Sequence, residues 1–165
     1  MNSNKIAKWP YYYEEEVEAA KNVLISGKVN YWTGNETKSF EKYFSEFTGT
    51  KYSIALANGS VALTSAYLSL GLKKGDEIIT TPRTFVATAS SAAIFGAIPT
   101  FADVDRETGC ITSETIEPLI NQKTKAISVV HLGGWPADMI SICKLAESYG
   151  IPIVEDCAQA HGAKI

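Results

Sequence analysis

Apolar and polar positions along the first fifty residues recur at helical spacing. This pattern predicts a helix from Glu14 to Ser26 and a second helix from Asn35 to Phe47. The second helix carries an aromatic stripe formed by Phe40, Tyr43, Phe44 and Phe47. We expect this stripe to pack in a core. The aromatic segment Trp9 to Tyr13 is expected to form an arm that docks on another surface.

From about residue 52 the period changes, and short apolar runs alternate with longer helical segments. Strands are predicted at Ser53–Ala57, Glu77–Thr81, Ile98–Ala102, Ala126–His131 and Ile151–Val154. Helices are predicted at Gly59–Leu70, Phe85–Phe95, Ser113–Ile120 and Asp138–Tyr149. Strands that alternate with helices at this spacing imply βαβ crossovers. The sequence therefore predicts an α/β fold with a mostly parallel sheet and flanking helices.

Composition and charge exclude several classes of function. The 165 residues fit one globular domain, with 45% hydrophobic and 20% charged residues. A net charge of -3 gives no positive electrostatic potential that would attract nucleic acid. The apolar runs are shorter than a membrane-spanning helix requires. Three separated cysteines without a CxxC pair favour a reduced, cytoplasmic setting. Two histidines and no zinc-ligand spacing predict that no metal is bound.

Polar residues follow the predicted strands where a parallel sheet would bring their carboxyl ends to one edge. The segments concerned are Asn58-Gly59-Ser60, Pro82-Arg83-Thr84-Phe85, Asp103-Val104-Asp105, His131-Leu132-Gly133-Gly134 and Glu155-Asp156 with Gln159. Open α/β sheets place their ligands at this edge. We therefore expect a binding site there.

Two of these segments have chemistry that suits a phosphorylated ring. Gly59 and Ser60 open a helix whose free amides and serine hydroxyl suit a phosphate, although a plain serine cap after a turn is the alternative. Asp156 follows a buried strand, where a carboxylate needs a partner such as a protonated ring nitrogen; the alternative is a helix cap.

Phe85 and Gln159 complete the predicted site. Phe85 would stack on the ring face, and Gln159 would donate to a ring substituent. A flat, phosphorylated, nitrogen-containing ring held in this way fits pyridoxal phosphate. The segment Asp103-Val104-Asp105 resembles the DxD element of glycosyltransferases, and a polar turn closed by Gly109 is the alternative.

Many ordered segments of the chain resemble the DegT/DnrJ/StrS sugar aminotransferases from about Gly27 onward. The segments that carry the resemblance include Thr33-Gly34, Ala57-Asn58-Gly59-Ser60-Val61-Ala62-Leu63, Gly75-Asp76-Glu77, Thr84-Phe85-Val86-Ala87-Thr88-Ala89, His131-Leu132-Gly133-Gly134 and Glu155-Asp156-Cys157-Ala158-Gln159-Ala160-His161-Gly162. The family consists of fold-type-I pyridoxal-phosphate enzymes that act on nucleotide-linked keto-sugars. In this light Asp103-Val104-Asp105 is family structure rather than a glycosyltransferase element.

The resemblance implies a domain organisation and roles for the site residues. Residues 1–30 would form an arm and helix, and 31–165 the first part of an incomplete large, cofactor-binding domain. Five residues match family positions that contact the cofactor: Gly59 and Ser60 at the phosphate, Phe85 on the ring, Asp156 at the pyridine nitrogen and Gln159 near the ring hydroxyl. The Schiff-base lysine and the small domain are expected beyond Ile165, since Lys164 is too close to the motif. The chain alone is therefore expected to be inactive.

The implied reaction transfers an amino group from an amino acid, glutamate by expectation, to a keto-sugar nucleotide. Such chemistry serves cell-surface polysaccharide or amino-sugar biosynthesis, and the resemblance implies a homodimer. A related keto-sugar dehydratase, with histidine in place of the lysine, is one alternative. A non-catalytic truncated chain is another.

Overall fold

The computed structural model describes residues 10–165, so Trp9 of the expected arm lies outside the described residues. The chain divides after Ala55 into two compact units, each described here by itself. The proposed boundary of a cofactor-binding domain at residue 31 stays a prediction. No helix within the described residues combines the length and the apolar character needed to cross a bilayer.

The first unit contains two helices, α1 at Glu14–Ser26 and α2 at Glu36–Thr48, close to the predicted bounds. Gly27 ends α1 with a φ of 68°, a left-handed conformation that glycine adopts without steric cost. In the loop between the helices, Asn30 Oδ1 accepts hydrogen bonds from the amides of Trp32 and Thr33. This Asx turn fixes the loop that leads into α2.

The prediction that the aromatic stripe of α2 packs in a core is wrong for the described residues. Phe40 is 54% exposed, and Tyr43 and Phe47 are each 65% exposed. The rings of Phe40 and Phe44 contact each other, with centroids 5.5 Å apart, rather than entering a core. The periodicity correctly located the apolar face of the helix, but no element of the described first unit covers that face.

The second unit is a three-layer α/β structure. Its helices are α3 at Gly59–Ser69, α4 at Ala87–Ala93, α5 at Ser113–Ile116 and α6 at Met139–Tyr149. Its strands are β1 at Glu77–Thr80, β2 at Ile98–Phe101, β3 at Thr124–Val130 and β4 at Ile153–Asp156. All strand pairs are parallel, in the order β2-β1-β3-β4. The predicted fold class, an α/β fold with a mostly parallel sheet and flanking helices, is confirmed.

Each face of the sheet carries its own core. Ile78 and its register partner Ala126 pack with Tyr67 of α3 and with residues of α4. Ile79 and its partner Ile127 face the other way, into a cluster with residues of α5 and α6. Side chains alternate across a strand, so every second residue of β3 and β4 faces α3 and α4. This alternation decides which side chains can reach which helix.

The strand order reverses direction between β1 and β3. The chain moves outward from β1 to β2 on one side, then returns and moves from β3 to β4 on the other side. Where such a reversal occurs, the loops at the carboxyl ends of the two central strands diverge and leave a crevice. The segment after β1 contains Phe85, and the segment after β3 contains Gly133.

Several predicted elements differ from the structure; the last strand, for example, forms at Ile153–Asp156 and includes Asp156, rather than at the predicted Ile151–Val154. The strand predicted at Ser53–Ala57 is not formed, because no neighbouring strand in the described residues completes its ladder, and Ile54 is 77% exposed. The helix predicted at Ser113–Ile120 ends at Ile116 and continues as a 3₁₀ turn over Glu117–Leu119. Pro118 lies in this turn, where it cannot donate an α-helical hydrogen bond. Thr112 caps α5.

Candidate functional site

Asp156 is the last residue of β4, and both of its carboxylate oxygens accept a hydrogen bond. The Thr88 hydroxyl donates to Oδ2 at 2.7 Å, and the Ala158 amide donates to Oδ1 at 3.2 Å. The side chain is partly buried at the carboxyl edge of the sheet. The two donors come from different parts of the fold and together fix the plane of the carboxylate.

Thr88 belongs to a group of buried and half-buried hydroxyl groups behind Asp156. Its Oγ1 lies 2.9 Å from that of Thr84 on one side. Its carbonyl oxygen accepts a 2.9 Å hydrogen bond from the Tyr67 hydroxyl, which also lies 2.8 Å from Ser128 Oγ. Burial raises the pKa of Tyr67, and the charge of Asp156 adds to this rise, whereas Ser128 lowers it. The phenol therefore stays protonated and keeps its hydrogen bond to Thr88.

The N-terminus of α3 presents free amides beside an open space. Asn58 caps the helix, since its side chain accepts from the Val61 amide at 3.0 Å. The amides of Gly59 and Ser60 have no partner within the helix, because the first turn of any α-helix leaves its N–H groups free. A Cβ built on Gly59 would meet no atom within 4 Å. This geometry suits an anion at the helix start.

Helix α4 contacts both halves of the predicted site. The Ser91 hydroxyl donates to the Ser60 carbonyl oxygen at 3.2 Å, and Thr88 donates to Asp156. Thr88 and Ser91 are three residues apart and lie on one face of the helix. Both are buried. The start of α3 and the end of β4 are thus tied to the same short helix.

Gln159 is oriented by the loop after β3. Its Oε1 accepts a 2.7 Å hydrogen bond from the Gly133 amide. With the oxygen used in this way, the amide nitrogen of Gln159 remains as a donor. Gly133 has a φ of 65°, a backbone conformation that glycine adopts readily and that aims its amide at Gln159.

Phe85 lies on the open side of the same region. Its ring is 71% exposed, and its carbonyl oxygen accepts from the Thr88 amide at 3.2 Å. An aromatic ring this exposed has its face available for stacking. The backbone contact links Phe85 to the residue that also holds Asp156.

Glu155 lies on the opposite face of β4, in a separate cluster with His131 and Cys157. His131 Nε2 is 2.9 Å from Glu155 Oε2, and the Ala137 amide donates to His131 Nδ1 at 3.1 Å. Hydrogen bonds to Cys157 first and to Glu155 second would raise the pKa of His131 to about 9, with burial acting against the rise. A charged imidazolium ring would also carry a proton on Nδ1, where it would face the N–H of Ala137. The geometry therefore requires a neutral ring whose proton is on Nε2.

This tautomer makes the cluster a poor metal site. The ligand atoms of His131, Glu155 and Cys157 lie within 4.8 Å of one another. A metal on Nε2 would move the ring proton to Nδ1, and metal-bound histidines usually donate that proton to an acceptor. Here Nδ1 faces a donor instead. The cluster is therefore a hydrogen-bonded support for the end of β4.

Two other features involve none of the five predicted site residues. Asp105 accepts hydrogen bonds from the amides of Glu107 and Thr108 and from the Thr108 hydroxyl, which makes it the centre of a polar turn. These bonds, those of Thr108 first, lower the pKa of Asp105. A cleft of about 510 Å³ lies in the first unit, and none of the five predicted site residues lines it.

The chain matches one family of known proteins over nearly its whole length. Residues 10–165 match the DegT/DnrJ/EryC1/StrS aminotransferase family. The chain belongs to this family. The match covers all of the described residues, and the resemblance predicted from the sequence motifs is confirmed.

Several solved structures superpose closely on this chain. An aminotransferase from Psychrobacter cryohalolentis is 49% identical, with a TM-score of 0.94 over 96% of this chain and 40% of that one. A 3-amino-5-hydroxybenzoic acid synthase is 31% identical, with a TM-score of 0.91 over 96% and 41%. NtdA from Bacillus subtilis, which holds the cofactor PMP, is 32% identical, with a TM-score of 0.86 over 98% and 39%. The chain thus spans about 40% of the length of these structures.

These comparisons indicate pyridoxal phosphate as the cofactor, and the residues of this chain fit it. The fixed carboxylate of Asp156 has the chemistry that suits a protonated ring nitrogen, and the open start of α3 suits a phosphate. The role of each of the five predicted residues remains a proposal.

Sequence reasoning missed the residues that support the site. Thr88, Ser91, Tyr67 and Ser128 all lie in segments that read as apolar or small-residue packing. One signal was present: Thr84, Thr88 and Ser91 recur at helical spacing in an alanine-rich segment. Hydroxyl groups repeated on one face of such a helix indicate a polar partner for that face.

Proposed function

We propose that the protein to which this chain belongs is a pyridoxal-phosphate-dependent aminotransferase. The observation that carries the proposal is the Asp156 carboxylate, held at the sheet edge by donors from Thr88 and Ala158. A carboxylate fixed in this way forms a charge-assisted hydrogen bond with a protonated ring nitrogen. When bound, the cofactor supplies an electron sink for chemistry at the amino-bearing carbon.

The other predicted residues have defined tasks in this proposal. Gly59 and Ser60 bind the cofactor phosphate with backbone amides and a hydroxyl, and Asn58 holds the helix start in place. Phe85 stacks on the ring, and Gln159 donates its amide N–H to a ring oxygen. These contacts orient the cofactor and keep one of its faces open to substrate.

The proposed substrates are an amino acid, glutamate in our proposal, and a nucleotide-linked keto-sugar. Membership of the family supports this substrate class. The expected biological setting is the cytoplasmic synthesis of amino sugars for cell-surface polysaccharide, by a homodimer. The three cysteines are unpaired thiols, as a reducing compartment would maintain them.

The proposal is tested with the full-length protein, pyridoxal phosphate and a panel of amino acids. We expect stoichiometric release of 2-oxoglutarate from glutamate before any sugar is added, followed by amination of a keto-sugar nucleotide. A protein that removes water from the sugar without releasing a keto acid is a dehydratase. That result would contradict the aminotransferase proposal and leave the cofactor proposal intact.

A further inference from the structure

Thr88 makes hydrogen bonds through three separate groups, and two of these groups reach residues of the proposed cofactor site. Its hydroxyl donates to Asp156, its amide donates to Phe85, and its carbonyl oxygen accepts from Tyr67. The side chain is fully buried. A threonine in a helix commonly bonds the carbonyl three or four residues earlier, but this hydroxyl reaches across 68 residues of sequence to a carboxylate.

The direction of the hydrogen bonds among these hydroxyl groups is set by the carboxylate. An ionised carboxylate only accepts, so the single proton of the Thr88 hydroxyl goes to Asp156. Thr84, whose Oγ1 is 2.9 Å away, must then donate to Thr88. Thr88 is therefore held as a donor toward Asp156 Oδ2.

We propose that Thr88 is a positioning residue that orients the Asp156 carboxylate toward the ring nitrogen of the bound cofactor. This inference rests on the proposed function. Thr88 touches neither cofactor nor substrate in this role and acts through Asp156. Without its hydroxyl, Oδ2 loses a buried donor, and the carboxylate turns to find another partner.

The test compares two ligands that differ only at the ring nitrogen. Pyridoxamine phosphate carries the nitrogen, and its 1-deaza analogue carries a C–H group in the same position. Binding to the full-length protein is measured by calorimetry for wild type, Thr88→Val, Thr88→Ser and Ser90→Ala. Val has the shape of Thr without the hydroxyl, Ser restores the hydroxyl, and Ser90 is an exposed residue of the same helix.

We expect Thr88→Val to weaken the binding of pyridoxamine phosphate about tenfold, the usual effect of losing a hydrogen bond to a charged group. Its effect on the deaza analogue should be smaller than about twofold, because that ligand makes no ring-nitrogen bond. Thr88→Ser and Ser90→Ala should bind both ligands like the wild type. In an Asp156→Asn background, Thr88→Val should have no further effect.

Equal losses for both ligands would overturn the proposal, since they would show a general structural role. Unchanged binding in Thr88→Val would overturn it as well. If Thr88→Val does not fold, Thr88→Ala, which also removes the donor, replaces it, and wild-type preference for the ring nitrogen in that variant would contradict the proposal. A wild-type protein that binds neither ligand would instead refute the proposed cofactor.

Discussion

Glu155 and Asp156 are consecutive residues of β4, and their carboxylates leave the sheet on opposite faces. Asp156 accepts from Thr88 on the α4 side, whereas Glu155 pairs with His131 on the side of the other core. The alternation of side chains along a strand makes this division unavoidable. Two adjacent acids therefore have different roles: Asp156 faces the proposed cofactor, and Glu155 supports the fold.

The pairing of Glu155 with His131 predicts a stability that depends on pH. The His131 hydrogen bond lowers the pKa of Glu155 from its ordinary value of 4.5. The contribution is therefore complete above pH 4.5 and is lost as the pH falls through the lower, folded-state pKa. We expect Glu155→Gln to have a lower melting temperature than the wild type at pH 7. The difference should shrink as the pH falls from 4.5 through the lower pKa of Glu155 in the folded state.

Melting temperatures measured between pH 3 and pH 7, at about one-unit steps, check this prediction. Glu147→Gln, which removes an exposed carboxyl group from α6, is the matched control and should follow the wild-type curve. A constant difference between Glu155→Gln and wild type across the range would show that the carboxylate does not contribute through its charge.

The sequence predicts the parallel sheet well, because the strand and helix periods are local properties of the chain. It failed at Ser53–Ala57, whose composition suits a strand but which has no neighbouring strand in the described residues. It also failed at the Phe40 to Phe47 stripe, since periodicity identifies an apolar face without showing what covers it. Whether a strand finds a neighbouring strand, and whether an apolar helix face is covered, depends on the whole fold and not on the local sequence.

In the candidate site, too, some residues can be recognised from the local sequence and others only from the whole fold. Asp156 and Gly59 are recognisable because their chemistry is unusual next to apolar segments. Thr88 is not, because its importance comes from a contact 68 residues away in sequence. Residues that act through another side chain are visible only once the helices and strands are placed together.

Thr80 offers a test of the core of the second unit. Its Oγ1 is fully buried and has no hydrogen-bond partner within the described residues. A buried hydroxyl without a partner is destabilising, so we expect Thr80→Val to raise the free energy of unfolding by about 1 kcal/mol. Chemical denaturation of both proteins measures the change.

Ser128→Ala is the control for Thr80→Val, because Ser128 is equally buried but its hydroxyl contacts Tyr67. It should lower the free energy of unfolding by about 1 kcal/mol, as the loss of a buried hydrogen bond does. A Thr80→Val variant that is less stable than the wild type would contradict this prediction.

The Asn58 cap predicts a link between helix stability and phosphate binding. Asn58→Ala removes the acceptor for the Val61 amide and should destabilise the protein by about 1 kcal/mol. Asn58→Ser keeps a capping oxygen and should retain most of the stability. Affinity for inorganic phosphate should fall in Asn58→Ala and remain in Asn58→Ser, because the free amides of Gly59 and Ser60 depend on the ordered first turn. Phosphate affinity that is equal in the two variants would contradict a site at this helix start.

The most direct test of the account is the affinity of the full-length protein for pyridoxamine phosphate in Asp156→Asn and Glu155→Gln. The two substitutions make the same chemical change at adjacent positions of β4 and differ only in the face they affect. We predict that Asp156→Asn weakens binding by about a hundredfold, the upper range for a lost charged hydrogen bond. Glu155→Gln should bind like the wild type at pH 7. Equal affinities in the two variants would contradict the role of Asp156 as the partner of the ring nitrogen.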